Sequence, residues 1–311
     1  MPYSLKEVND AVRSDPKGFA EACDAAFAKK VENAAQKIAD HRRQSHIILL
    51  SGPSGSGKTT TALKIEEVLE RMGISTHTIS MDNYFKTIDP DTAPRNREGQ
   101  IDYESPFCLD VDLLNRHFSM LDRGETIHVP KYEFARQMRS DILSQPLRLG
   151  PDELAIFEGI HALNDIIVGK NPKAFKLYIA ARSNLVDEDG SVVFQHAWLR
   201  LCRRIVRDHL FRGSNAAFTL KMWPNVHRGE RLYISPYKES ADIMFDSSLA
   251  FEFSVLKPIV TPLLEELPAG KYPEADQMLE AFQRIEPMDE KYIAPESLAR
   301  EFIGGSTYDN H

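Results

Sequence analysis

Along the first forty residues the apolar positions Phe19, Ala22, Cys23, Ala26 and Phe27 recur at helical spacing in a stretch of helix-forming composition. This predicts a helical N-terminal extension over 1–44, packed on the main body or on a second copy. At His46 the period breaks. The apolar run IILL is followed by the Gly-rich SGPSGSG and then by a segment in which Ala62, Ile65, Leu69 and Met72 share one helical face, with Gly73 as a natural stop. The reading is strand, loop, helix. Further strands are expected at 76–80 (THTIS), 154–157 (LAIF), 175–180 (FKLYIA) and 249–254 (LAFEFS). Strands separated by helical stretches imply βαβ units and a parallel sheet covered on both faces.

The polar stretch 83–150 is too long for a structureless loop and is read as an inserted substrate-binding region containing the helix-like LDVDLLNRHFSMLDRG. Residues 45–270 would then form the main domain, with 196–232 as a lid region and 271–311 as a C-terminal tail, peripheral beyond about Pro287. No internal repeat or low-complexity tract is evident.

Composition narrows the function classes. Hydrophobic residues at 42% and charged residues at 27% are ordinary for a globular chain, which excludes disorder and a disulfide-knotted module. Thirty-eight basic against 46 acidic side chains give −8, so the whole molecule does not attract nucleic acid or an anionic membrane. Any polyanion it binds needs a local basic site. Cys23, Cys108 and Cys202 are widely spaced, with no metal-ligand pattern, as expected of free thiols in a reducing compartment. With no leader-like N-terminus and no run of about 18 apolar residues, the expected location is cytoplasmic.

Gly52-Pro53-Ser54-Gly55-Ser56-Gly57-Lys58-Thr59 matches GxxxxGK[ST] between an expected strand and an expected helix, the context in which such a loop wraps phosphates with its backbone N–H groups. Lys58 would reach the β- and γ-phosphates, and Thr59 would offer a hydroxyl to Mg²⁺. Thr60 stands where a dinucleotide fingerprint needs a small residue, so that alternative fails. Asp82 follows the second strand at the edge of the crevice where α/β sheets bind ligands, and could accept a proton from an attacking hydroxyl or simply cap the next turn. Glu158 ends an apolar run as a magnesium-binding acid does. Finally, Arg200, Arg203, Arg204 and Arg207 fall on one face of a helix-like stretch, as a lid closing guanidinium groups over a triphosphate and excluding water would require.

GPSGSGKTT, MDNYFK, IDYESPFCLDVDLL, PKYEF, FEGIHAL and RRIVRD occur in the order found in the uridine kinase and phosphoribulokinase family of P-loop kinases, which the chain resembles over about residues 45–265. The resemblance implies a three-layer α/β P-loop kinase fold with a mostly parallel five-stranded sheet, ATP and Mg²⁺ as cofactors, and a small-molecule acceptor. By it, Asp82 matches the family's catalytic acid and Lys58, Arg203 and Arg207 take part in transfer. Gly52, Ser54 through Thr60, Arg203 and Arg204 hold the nucleotide, and Thr59, Glu158 and Asp82 hold the metal. Tyr84, Asp102, Glu104, Tyr132 and Arg136 face the acceptor. Asn83-Tyr84-Phe85 departs from the usual Ser-Phe-Tyr, and the His that follows the matching tyrosine in nucleoside kinases is replaced around Arg136-Gln137.

The expected reaction is transfer of the γ-phosphoryl group of ATP to the 5′-hydroxyl of a pyrimidine ribonucleoside. A same-fold kinase for a sugar phosphate or pantothenate-like acid is the nearest rival, because Arg136 and Arg139 could supply an extra cationic pocket. A regulatory NTPase is a rival of another class. Neither nucleic acid nor a membrane is expected as a partner, and a contact between copies of the chain would be sought at the helical N-terminus.

Overall fold

A computed structural model describes residues 2–133, 136–142 and 146–308. Five strands form its central sheet: β1 (Ile47–Ser51), β2 (Thr76–Ser80), β3 (Leu154–Glu158), β4 (Phe175–Ala180) and β5 (Ile243–Asp246). They pair in the order β5-β4-β1-β3-β2, and every pairing is parallel. The fold is therefore the three-layer α/β architecture that the pattern predicts.

Alternation along each strand divides the core. Ile48 and Leu50 of β1 point into the larger cluster, under the helices Pro16–His41, Lys58–Arg71, His196–Phe211 and Glu252–Glu265. Ile47 and Leu49 point the other way, toward Leu114, Phe118 and Leu121 of the helix Val111–Asp122 in the inserted stretch. That stretch also carries two short antiparallel ribbons, Ile127–His128 with Pro146–Leu147 and Tyr132–Glu133 with Met138–Arg139.

Two sequence expectations need correcting. The last strand is Ile243–Asp246 rather than 249–254, where Glu252 already begins a helix. Phe251, Phe253 and Val255 are all fully buried, and a short continuous apolar run gives no period by which to tell a buried helix from a buried strand. The segment beyond Pro287, expected at the periphery, instead returns to the core, where Leu298 and Phe302 are fully buried. At the other end, Asp15 caps the helix Pro16–His41, and Phe27, Val31, Ala35 and Ile38 lay its buried stripe on the helix Lys58–Arg71.

One buried ion pair joins several of these elements. Arg203 is 0% exposed and meets Glu252 through two hydrogen bonds of 2.7 and 2.5 Å. Its remaining donors reach the Gly55 carbonyl at 3.0 Å and the Ser247 carbonyl at 2.9 Å. Breaking a buried pair leaves one uncompensated charge, so Arg203→Met should lose about 3–5 kcal/mol of stability in urea unfolding. The double variant Arg203→Met/Glu252→Met should recover much of that loss; a double variant as unstable as the sum of its singles would refute this origin of the cost.

Candidate active site

In the sheet order β5-β4-β1-β3-β2, chain connections leave in opposite directions from the gap between β1 and β3, which makes that gap the topological switch point. Register brings Leu50 and Ser80 to either side of Glu158 there. The loop Gly52–Thr59 leaves β1 at this edge, Asp82 lies in a short 3-10 turn after β2, and Glu158 ends β3.

The loop's backbone is fixed from its carbonyl side. Arg200 donates to the Ser54 carbonyl at 3.1 Å, Arg203 to that of Gly55, and the Ser247 hydroxyl to that of Ser56 at 2.5 Å. Three consecutive carbonyls are thus engaged, which leaves loop amides for an anion, that of Ser56 excepted, since it donates to the Pro53 carbonyl at 3.3 Å. Gly55 and Gly57 take φ of 73° and 79°, the left-handed region that glycine enters without strain. Gly52 passes so close to β4 that a Cβ there would lie 1.9 Å from the Ile179 carbonyl oxygen.

Around this loop, charges oppose one another at close range. Burial pulls the Lys58 ammonium below its ordinary value, while Glu158, Asp82 and Glu301 resist that shift. Burial pushes the Asp82 carboxyl up, against Lys58, Arg212 and Arg207. Glu158 rises to about 7, again chiefly from burial, with Lys58 opposing and Asp82 adding. Arg207 is driven down to about 10 by burial and by Arg212, though it retains Asp208 at 3.5 Å. Lys58, Asp82, Glu158 and Arg207 therefore share one electrostatic basin. Arg204 joins it through a 2.9 Å bond to the Ser54 hydroxyl.

Thr59, Glu158 and Asp82 offer a hydroxyl and two carboxylates, a donor set suited to Mg²⁺, which takes few protein ligands and completes its shell with phosphate oxygens and water. Among the described residues no cluster of three or more His, Cys, Asp or Glu forms a dedicated metal cage.

The acceptor residues are distributed unevenly. Asp102 is 2% exposed and accepts two hydrogen bonds from Arg228, at 3.1 and 2.5 Å, and one from the Tyr233 hydroxyl at 2.8 Å. Beside it, burial lifts Glu104 to about 7, with Arg204 and Arg228 opposing and Asp102 and Asp82 adding. His161, from the loop after β3, is 2% exposed, and burial drives it down to about 4, which keeps the ring neutral. The backbone of Tyr233 and of Glu104, which the ring faces, opposes that shift. Tyr132 is half-buried, its ring 5.7 Å from that of Phe85.

Two expected roles do not survive the geometry. Tyr84, expected against the acceptor, is 0% exposed, shares a 2.8 Å hydrogen bond between its hydroxyl and the ring Nδ1 of His117, and packs on Phe157. It belongs to the core because the 3-10 turn Met81–Tyr84 rotates Asp82 and Tyr84 to different sides. Arg203, expected to close over the triphosphate, has its guanidinium fully engaged beneath the loop. Arg136 is exposed and paired with Glu133 at 3.1 Å.

Arg228, Tyr233, His161 and Glu301 escaped the sequence reading. His161 lies inside the quoted FEGIHAL, and Arg228 and Tyr233 lie about 20–30 residues beyond the arginine stretch, with no spacing to connect them to Asp102.

The phosphoribulokinase / uridine kinase family model matches residues 47–250. The uridine kinase of Staphylococcus aureus strain JH9 is 32% identical over 199 residues, covering 64% of this chain and 86% of that protein. Among solved structures, phosphoribulokinase from Rhodobacter spheroides aligns with a TM-score of 0.40 and 16% identity over 66% of this chain and 73% of its own. D-glycerate 3-kinase from Cryptococcus neoformans aligns with a TM-score of 0.36 and 14% identity over 86% and 90%. With two thirds of its length matched, carrying the phosphate loop and both strand-end carboxylates, this chain belongs to the phosphoribulokinase / uridine kinase family of phosphotransferases.

Proposed function

We propose that this kinase transfers the γ-phosphoryl group of ATP to the 5′-hydroxyl of a pyrimidine ribonucleoside. The observation that carries the choice of acceptor is the pairing of the cations around the acceptor side. Arg136 is held by Glu133, Arg139 by Asp110 at 2.9 Å, and Arg228 by Asp102. A phosphorylated acceptor would have to break one of these pairs and lie beside Asp102 and Glu104. A neutral polyol needs neither, because carboxylates accept hydroxyl hydrogen bonds.

In this reading Asp82 takes the proton from the acceptor hydroxyl as its oxygen forms a bond to the γ-phosphorus. The bond from that phosphorus to the β,γ-bridging oxygen breaks, and ADP leaves with the electron pair. Lys58 and the loop amides hold the phosphate chain, while Arg204 and Arg207 offset charge at its outer side. Thr59 and Glu158 would hold Mg²⁺, which supplies positive charge to offset that of the phosphate chain when bound. Glu104, Asp102 and His161 orient the acceptor's hydroxyls, and Tyr132 with Phe85 offers an aromatic edge for a flat base.

Product mass analysis across nucleosides, sugar phosphates and pantothenate should show phosphorylation of uridine or cytidine; ATP hydrolysis indifferent to every acceptor would defeat the proposal. Asp82→Asn should keep ATP affinity but lose roughly 10²–10⁴-fold in turnover, the usual scale for a general base. Lys58→Ala should lose both ATP affinity, by calorimetry, and turnover.

Glu104 yields a pH prediction. Its carboxyl is raised from the ordinary 4.5 to about 7, so between those values the folded protein holds a proton that the unfolded chain has released. Stability from this group is full below about 4.5 and is lost as pH rises through about 7. Urea midpoints for the ligand-free protein should therefore fall less steeply over that range in Glu104→Gln than in the wild type, and parallel profiles would contradict the assignment.

A further inference from the structure

The segment that follows Pro287 lies outside the family match, yet it reaches the centre of the phosphate loop. Leu298 sits so near Gly57 that a Cβ there would meet its side chain at 2.6 Å. Phe302 lies 4.9 Å from the Arg203 guanidinium, on the residue that braces the loop. Between these two contacts, the Glu301 carboxylate accepts the backbone N–H of Thr60 at 3.2 Å. Glu301 is 6% exposed, and it acts electrostatically on Lys58, Glu158 and Arg207.

The position of that carboxylate is chemically specific. The first amides of a helix that follows a glycine-rich loop point along its axis with no intrahelical acceptor, and they bind the phosphates of a nucleotide. Thr60 belongs to the first turn of the 14-residue helix Lys58–Arg71. Its N–H is already bonded to an anionic oxygen from the same chain. A nucleotide phosphate arriving at this amide meets a carboxylate in its place, beside the same lysine and arginine.

We propose that Glu301 is a donor-site residue, whose carboxylate occupies a phosphate position of the loop and sets donor affinity by competing with the nucleotide. This rests on the reading of the loop as the ATP site. Binding displaces the Glu301 carboxylate from the amide. Behind it Gly304 and Gly305 take φ of 90° and 72°, and Arg300 ties the segment to the carbonyls of Glu290, Ile293 and Gly304. The backbone that carries the carboxylate stays anchored, since Ile293, Leu298, Ala299, Phe302 and Ile303 are buried and Ser297 donates to Asp24 at 2.7 Å.

Calorimetry with MgATP and MgADP on the full chain tests this. Glu301→Gln removes the charge while keeping the shape and a carbonyl for the Thr60 amide; Glu301→Ala removes the competitor altogether. Both nucleotides should bind about tenfold tighter to Glu301→Ala, with Glu301→Gln between it and the wild type, a change on the scale of one like charge withdrawn from a partly buried anion site. Unchanged or weaker binding in both variants overturns the assignment, the second result making Glu301 a supporting ligand. Hydrogen exchange on the wild type gives a readout independent of any substitution: MgATP should raise exchange at the short helix Arg300–Ile303 that carries the carboxylate, and protection there overturns the proposal. Absence of nucleotide binding in the wild type and both variants would instead bring down the donor-site reading itself, and this assignment with it.

Discussion

Peptide planes have two sides, and a backbone that gives its carbonyls to partners on one side presents its amides on the other. At residues 54–56 this constraint organises the molecule. Arg200, Arg203 and Ser247 engage three consecutive carbonyls, and each belongs to a different part of the scaffold or to a different turn of one helix. Arg203 in turn depends on Glu252, and Arg200 is held by Glu230 at 2.9 and 2.6 Å. Much of the chain after β4 is therefore a support for an eight-residue loop. A flexible loop would order its amides only upon meeting an anion; this one is preorganised, so less of the binding free energy goes into arranging it.

The same site shows how an acidic protein concentrates positive charge. Of the arginines along the helix His196–Phe211, two brace the loop and two share Asp208. Pairing keeps these buried cations tolerable without a ligand, and an incoming anion must offer more than Asp208 already supplies. Asp82, Glu158 and Glu104 all sit above their ordinary carboxylate range, chiefly because each is buried, with Asp82 adding at both Glu158 and Glu104. Cations and acids are thus balanced across a gap, where displacement of one group changes the protonation of the next.

The sequence was informative where chemistry is local. The strand, loop and helix around 47–71 and the positions of Asp82 and Glu158 after strands could be read because each is tied to a fixed place in a βα unit. Tyr84 was misplaced for a related reason: a 3-10 turn carries successive residues around by about a third of a turn, and motif matching does not follow that rotation. Arg203 shared a helical face with its neighbours, but that face is only partly open, and nothing in the periodicity reveals that Glu252 lies beneath it. Asp102 with Arg228, and Thr60 with Glu301, are 126 and 241 residues apart, and such pairings follow from the topology of the whole chain. The last strand was missed because LAFEFS and IMFD are both short apolar runs, and only packing decides between them.

The two ends of the chain also meet. The side chain of Asn9 bonds the backbone of Arg284 at 2.9 Å and of Glu286 at 2.8 Å, and Tyr3–Ser4 pairs with Leu185–Val186. All five sheet strands, ending at Asp246, precede Arg284, Glu286 and Glu301 in the chain. Arg200, Arg203 and Ser247 can therefore brace the phosphate loop while Thr60 still lacks Glu301. Contacts between residues 241 apart in sequence form late, so the loop acquires its final neighbour after its scaffold. A chain synthesised only as far as Pro287 would hold its five strands and a phosphate loop with the Thr60 amide open.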